Sequence, residues 1–262
     1  MGLAPHPGAA KGDGMDSDAP SPTDAAYEAK ARAEMEAWRT EVLKGPSLMG
    51  RAARGAQVRI NRIIPEKVHA AVTTVMEKMT RAILTGSDWT TADPLVSGTL
   101  REREAEVEQR VAAYRAAAAA GGGIAGAGGF ALAMAEFPAL ITTKLKLLFD
   151  IAALYGHDGA TLSERLYILH IFQLAFSSAG HRKDVFAAMA DWDRRTHPAD
   201  LDSFEWRKFQ QEYRDYIDLA KLLQLVPVIG APVGAVVNYR LLKRLGDTAV
   251  NAYRFRWLAE PT

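Results

Sequence analysis

AAYRAAAAAGGGIAGAGGFALAMAEFPALITTKLKLLFDIAALY, running from Ala112 to Tyr155, is the stretch that decides the fold. An alanine run, Ala116 to Ala120, passes into the glycine cluster Gly121 to Gly129, and an amphipathic pattern follows from Phe137. Alanine favours helix, whereas each of the six glycines in those nine residues costs about 1 kcal/mol of helix propensity. Packing has to offset that cost. Small residues four apart, Gly122 with Gly126 and Ala125 with Gly129, let a second backbone come very close. The stretch therefore predicts a helix crossing in an all-α, multi-helix bundle.

A dinucleotide site is the competing reading, because Gly121, Gly123 and Gly126 match GxGxxG. That chemistry needs the glycines in a tight turn between a strand and a helix, so that phosphate meets exposed N–H groups. Here LREREAEVEQRVAAYRAAAAA, a strongly helical sequence, precedes them. No GK[ST] follows, so a P-loop is also excluded.

Working outward from the C-terminal end of this stretch, Leu140, Ile141, Leu145, Leu148, Ile151 and Ala152 share one side of a helix. Thr142, Lys146 and Asp150 share the other, with Lys146 and Asp150 spaced to pair. Lys144 falls inside the apolar stripe, where it must snorkel or meet an acid. Gly156 caps the helix, and Thr161 to Glu164 reads as a capping box that opens the next one. That helix, Leu162 to about Ala179, is apolar nearly all round and is expected to be central. His170 within it is expected to be a hydrogen-bonded core residue.

Toward the N-terminus, Pro65-Glu66 opens a helix carrying Val68, Val72, Val75, Met76 and Met79 inward, and Thr85 to Gly98 has the composition of a loop. Before it, RAARGAQVRINRII places Arg51, Arg54, Arg59 and Arg62 on one side of a helix and Ala56, Ile60, Ile63 and Ile64 on the other. This basic amphipathic segment is either a solvated face over a core face or a dock for anionic lipid or an acidic partner. Ala25 to Leu43 reads as a polar helix. Residues Met1 to Asp24 are expected to be a disordered leader, and 25–262 a single helical domain.

The 262 residues are 48% hydrophobic, enough for a proper core. The formal charge of +1 gives no global attraction to nucleic acid. With no cysteine there is no disulfide, thiolate metal site or cysteine nucleophile, and a cytoplasmic location fits best. Two uncharged stretches, Ala116 to Ala135 and Leu222 to Tyr239, approach spanning length. The first is too rich in Ala and Gly to insert, and the second is broken by Pro227 and Pro232. The histidines form neither HxH nor HExxH, HRKD (His181 to Asp184) lacks every other kinase element, and there is no GxSxG or SxxK. No catalytic, cofactor or metal residue is singled out.

The C-terminal segment VPVIGAPVGAVVNYRLLKRLGDTAVNAYRFRWL is the second organising element. Pro232 is placed to open a helix, and Gly230 and Gly234 form a second close-packing pair. Asn238 shares a side with Leu241, Leu242 and Leu245, so its amide needs a partner. The candidates are backbone groups freed at Pro227 and Pro232, or Tyr253 folding back after a turn at Gly246. Asn238 is then a buried tie or an amide lining a pocket. A short helix after Gly246 carries Ala249, Tyr253 and Trp257, with Arg254 and Arg256 beside them.

Three blocks, INRIIPEKVHAAV (Ile60 to Val72), LLFDIAALYGHD (Leu147 to Asp158) and the C-terminal PVIGAPVGAVVNYRLLKRLGDTAVNAYRFRWL, resemble the EcsC family of bacterial proteins. With the glycine-rich segment the likeness covers roughly Ile60 to Leu258. The resemblance implies an all-helical fold. It also implies work at or near a membrane, since the family takes its name from a member encoded beside an ABC transporter; it supplies no catalytic residues. The leading reading is a non-enzymatic accessory protein that meets anionic lipid or a membrane protein complex through its basic face. A helical hydrolase or lipid-modifying enzyme, and a homo-oligomer joined through the glycine faces, are the alternatives.

Overall fold

The computed structural model describes residues 21–44, 66–85, 92–125, 129–177, 181–197 and 231–259. Within them the elements are α1 (Pro22–Leu43), α2 (Glu66–Thr85), α3 (Leu100–Ala125), α4 (Gly129–Leu154), α5 (Leu162–Phe176), α6 (Arg182–Met189), a single 3-10 turn (Trp192–Arg194) and α7 (Ala231–Trp257). The chain is all-α. No described helix is long and apolar enough to cross a membrane.

The alanine and glycine run is helical on both flanks. The helix α3 continues through Gly121 to Gly123 and ends at Ala125, and α4 begins at Gly129. No strand precedes the cluster, which removes the geometry a dinucleotide fingerprint requires. Gly126 and Gly230 lie outside the described residues, as does the packing around Gly122, Gly234 and Asn238. So do Arg51, Arg54, Arg59 and Arg62.

Local signals set most of the observed ends. Thr99 and Glu102 form a reciprocal capping box before α3: Thr99 N donates to Glu102 Oε2 at 3.0 Å, and Glu102 N to Thr99 Oγ1 at 3.3 Å. Gly156 closes α4 at φ +88°, with Gly156 N donating to Ala153 O and His157 N to Ala152 O, each at 2.9 Å. This is the double closure of a Schellman turn. A β-carbon at Gly156 would also sit 3.0 Å from Leu95 O and 3.1 Å from an Arg103 guanidinium nitrogen. The helix α1 starts three residues earlier than the Ala25 expected of it: Ser21 caps it, and Asp24, assigned to the leader, is a buried helical residue.

The core is built around α5, whose Leu166, Tyr167, Ile168, Leu169, Ile171, Phe172, Leu174, Ala175 and Phe176 are all buried. Ile141, Leu145, Leu148, Ile151 and Ala152 of α4 and Leu241, Leu242 and Leu245 of α7 are buried with them, as their helical spacing predicts. The most extensive helix pairing is α3 with α7.

Three expectations are corrected. First, Gly246 does not end a helix, since α7 is continuous from Ala231 to Trp257. A β-carbon on Gly246 would lie 3.2 Å and 3.3 Å from the two Val111 methyls of α3, so this glycine serves close approach at the α3–α7 crossing. Tyr253 then sits 15 residues beyond Asn238 on one helix, about 22 Å away, and cannot fold back onto it. Second, Lys144 does not snorkel: it is 1% exposed, with Nζ donating to Leu140 O at 3.4 Å, and burial pushes its pKa down to about 7. Third, Asp150 is buried and pairs across to α3, with Arg110 at 3.3 Å and the Tyr114 hydroxyl at 2.9 Å, while Lys146 is exposed.

Candidate functional site

The polar chemistry of the described residues converges where the last turns of α7 meet α3, α5 and α1. On a helix, Tyr253 and Arg256 share a face, and Arg254 and Trp257 share one about a quarter-turn away. Each face of α7 therefore delivers one arginine and one aromatic ring. The first face turns to α5 and the second to α3 and α1.

Glu104 of α3 is 7% exposed and receives four donors. Arg254 grips it in a fork, Nε to Oε1 at 2.7 Å and a terminal nitrogen to Oε2 at 2.6 Å. The Tyr155 hydroxyl donates to Oε1 at 2.8 Å and the Tyr27 hydroxyl to Oε2 at 2.7 Å. Burial works to raise the Glu104 pKa, but the Arg254 fork and the tyrosine hydroxyls overcome it and hold the carboxyl below its usual value. The remaining Arg254 nitrogen donates to Glu34 of α1 at 2.9 Å. Burial and the Glu104 charge push the Tyr27 hydroxyl up to about 12, so it stays a donor.

Glu164 in the first turn of α5 is the second centre, 4% exposed. The Tyr253 hydroxyl donates to its Oε1 at 2.6 Å and Arg256 to its Oε2 at 2.7 Å. Arg256 also forks onto Asp193 in the 3-10 turn, and its guanidinium lies 4.6 Å from the Tyr167 ring centre. Burial opposes ionisation of Asp193, and Arg256 more than compensates, leaving that carboxyl below its usual range. The capping box expected at Thr161 to Glu164 forms by half: Glu164 N donates to Thr161 Oγ1 at 3.2 Å, but the carboxylate is turned inward to α7.

An aromatic stack joins the two centres. Tyr253 stacks on the Tyr155 ring and on the His157 ring, each at 5.2 Å between centres. His157 is delivered here by the Gly156 turn, with Nδ1 3.9 Å from Glu164 Oε2. Burial lowers its pKa against the pull of Glu164, so the imidazole is neutral at neutral pH. Around the rim, Arg103 donates to the Gly98, Leu95 and Leu154 carbonyls and lies over Trp257. Trp257 Nε1 donates to Glu28 at 3.3 Å.

A match to the EcsC protein family runs over residues 29–258. The chain belongs to the EcsC family. It is 40% identical over 224 residues to protein EcsC of Bacillus subtilis (strain 168), covering 85% of this chain and 93% of that one. It is also 32% identical over 146 residues to the uncharacterized protein YdbA of the same organism, 55% of this chain and 54% of that one. No solved structure matches. The EcsC match begins earlier than the Ile60 expected from the motif blocks. It takes in most of α1 and the basic stretch. In EcsC terms the buried network is where two of the three motif blocks meet: Tyr155 and His157 come from one, and Tyr253, Arg254 and Arg256 from another.

Among the described residues, Tyr253 is the candidate site residue that falls in this network, and its partner is Glu164. Glu104, Glu164, Arg254, Arg256, Tyr27 and Asp193 were not foreseen. Glu104 left a trace: Leu100, Glu104, Val107 and Val111 recur at helical spacing, so the carboxylate stands at a core position. His170 is a partly buried residue with Nδ1 3.2 Å from Gln173 Oε1, and burial lowers its pKa to about 4, in keeping with a core role. Among the described residues no three His, Asp or Glu side chains could hold a metal ion. A shallow groove between α3 and α4, lined by Glu106, Gln109, Arg110, Tyr114 and Thr143 with Ala113 and Ala117, borders the Asp150 pair.

Proposed function

We propose that this EcsC-family chain is a non-enzymatic accessory protein, working from the cytoplasmic side at a membrane surface in company with a transporter or another membrane complex. The observation that carries the reading is how completely the buried acids are consumed. Glu104 is saturated by one arginine and two tyrosines, and Glu164 by one arginine and one tyrosine, so both are committed to joining helices. Such a network suits a rigid block that presents a surface. The surface of interest is the basic stretch Arg51, Arg54, Arg59 and Arg62, which in sequence links α1 to α2. Both of those helices pack on the body, α1 on α3 and α7 and α2 on α4 and α5.

Flotation with vesicles tests this reading. Anionic vesicles are expected to retain the protein more than neutral ones, by about 1 kcal/mol per basic residue near the surface. Changing Arg51, Arg54, Arg59 and Arg62 to Glu together removes the preference. Equal flotation of that variant and the parent on anionic vesicles overturns the membrane assignment.

A further inference from the structure

The helix α1 is held by a thin apolar seam, with Tyr27, Trp38, Val42 and Leu43 part-buried against the core, and by a set of polar contacts. Of its 22 residues, only Ala31 and Met35 are buried hydrophobics. Five acids against three bases give it a negative balance. Its polar contacts to the body run from acids on α1 to donors beneath: Asp24 to Arg101 at 2.9 Å, Glu28 to Trp257 at 3.3 Å and Glu34 to Arg254 at 2.9 Å. The Tyr27 hydroxyl adds a fourth contact, reversed in sense, to Glu104. Farther along, Trp38 and Arg39 rest against Phe186, with Arg39 also over Phe255.

Both ion pairs have one half-exposed member. The Arg101 side chain is 48% exposed opposite Asp24, and Glu34 is 49% exposed opposite Arg254, so salt reaches each pair. The body is also provided for without α1. Glu104 keeps both bonds from Arg254 and the bond from Tyr155, and Trp257 keeps Arg103 over its ring. Removing α1 strands no buried charge.

We propose that α1 is an electrostatically latched cover: it leaves the body as a unit, without unfolding it, and bares the Glu104–Arg254 pair and Arg101 to solvent. This goes beyond the membrane reading and stands or falls separately, since it concerns only α1 and the surface beneath it. The latch opens where salt or a competing anion occupies the arginines, and the exposed face then offers Arg101 and Arg254, freed of their α1 partners, beside the Trp257 ring.

Hydrogen exchange on the full chain tests the latch, read by peptide mass. In the parent, amides of α1 are expected to exchange at least about tenfold faster than those of α3 and α5. Raising the salt from about 0.02 M to about 0.5 M speeds α1 alone, and Asp24→Asn combined with Glu34→Gln does the same at low salt. Exchange of α1 in step with α3 and α7 overturns the proposal, because the helix is then part of one cooperative unit. Fast α1 exchange that neither salt nor the double variant alters overturns the electrostatic latch. Acceleration of α3 and α5 together with α1 shows loosening of the whole fold and also overturns it.

Discussion

Replacing Arg254 with Met keeps most of the stem volume while removing the guanidinium, and so isolates what the fork on Glu104 contributes. Two charge-assisted bonds are lost, at 2.7 Å and 2.6 Å, each worth about 1.5 to 3 kcal/mol. The third, to half-exposed Glu34, adds little. The Tyr27 and Tyr155 hydroxyls stay on the abandoned carboxylate and offset part of the loss. The expected cost is about 3 kcal/mol at pH 7, at the low end for a broken buried pair. Urea denaturation followed by far-UV circular dichroism measures it, within a cycle that includes Glu104→Met and the double variant. Removing both charges costs less than the two single losses together, by about 2 kcal/mol, because no charge is left buried. The pH dependence has a definite sign. In the parent the folded pKa of Glu104 is depressed, so its stabilisation is present above the unfolded carboxyl value and is lost as pH falls through the folded value. In Arg254→Met burial acts with much less opposition and raises the folded pKa, so that variant gains stability as Glu104 takes up its proton. The gap between parent and variant therefore narrows from pH 7 toward about pH 4. An Arg254→Met cost below about 1 kcal/mol, or additive single losses, refutes the argument.

Two further substitutions test the corrections to the fold. Gly246→Leu forces a side chain against the Val111 methyls and should cost about 1 to 3 kcal/mol; an unaltered melting temperature refutes the close crossing. Lys144 has a folded pKa of about 7 against an ordinary 10.5, so between those values the unfolded chain binds more protons and stability rises with pH. Denaturation across that window should show the rise in the parent and lose it in Lys144→Met; equal slopes in both refute the assignment.

The fold was legible wherever one helix carried the whole signal. The stripes of α4 and α5 and the Gly156 cap rest on residues within a few positions of one another, and local geometry acts at that range. The misreadings share a different cause. Gly246 reads as a stop because glycine is common at helix ends, but its reason for being glycine is Val111, 135 residues earlier and on another helix. Asp150 reads as a solvent-facing partner for Lys146, and its actual partners Arg110 and Tyr114 are on α3. Lys144 reads as snorkelling because a stem that long can usually reach water; here the neighbouring helices close over it.

The buried network was illegible for a further physical reason. A charged residue in a helical sequence is ordinarily a surface residue, and only its complement reveals otherwise. Glu104 finds its complement 150 residues on in Arg254, and Glu164 finds its own 92 residues on in Arg256. No spacing rule connects them. What the sequence does carry is the violation itself. Glu104 interrupts the stripe of Leu100, Val107 and Val111, Glu164 opens a helix that is otherwise apolar nearly all round, and Arg254 and Arg256 alternate with Tyr253 and Trp257 near the end of a long helix. An ionised carboxylate in a core position is intolerable without a partner, so two acids out of place require two cations out of place, and the two arginines among the aromatic rings of α7 are the pair that satisfies the requirement. The same reasoning bears on the family. The third motif block combines two distinct demands, a glycine at 246 that lets α7 approach α3 and an aromatic and arginine tail that neutralises acids on α3 and α5. A substitution in the tail should therefore be rescued by changing the matching acid, whereas one at Gly246 should be rescued only by making room at Val111.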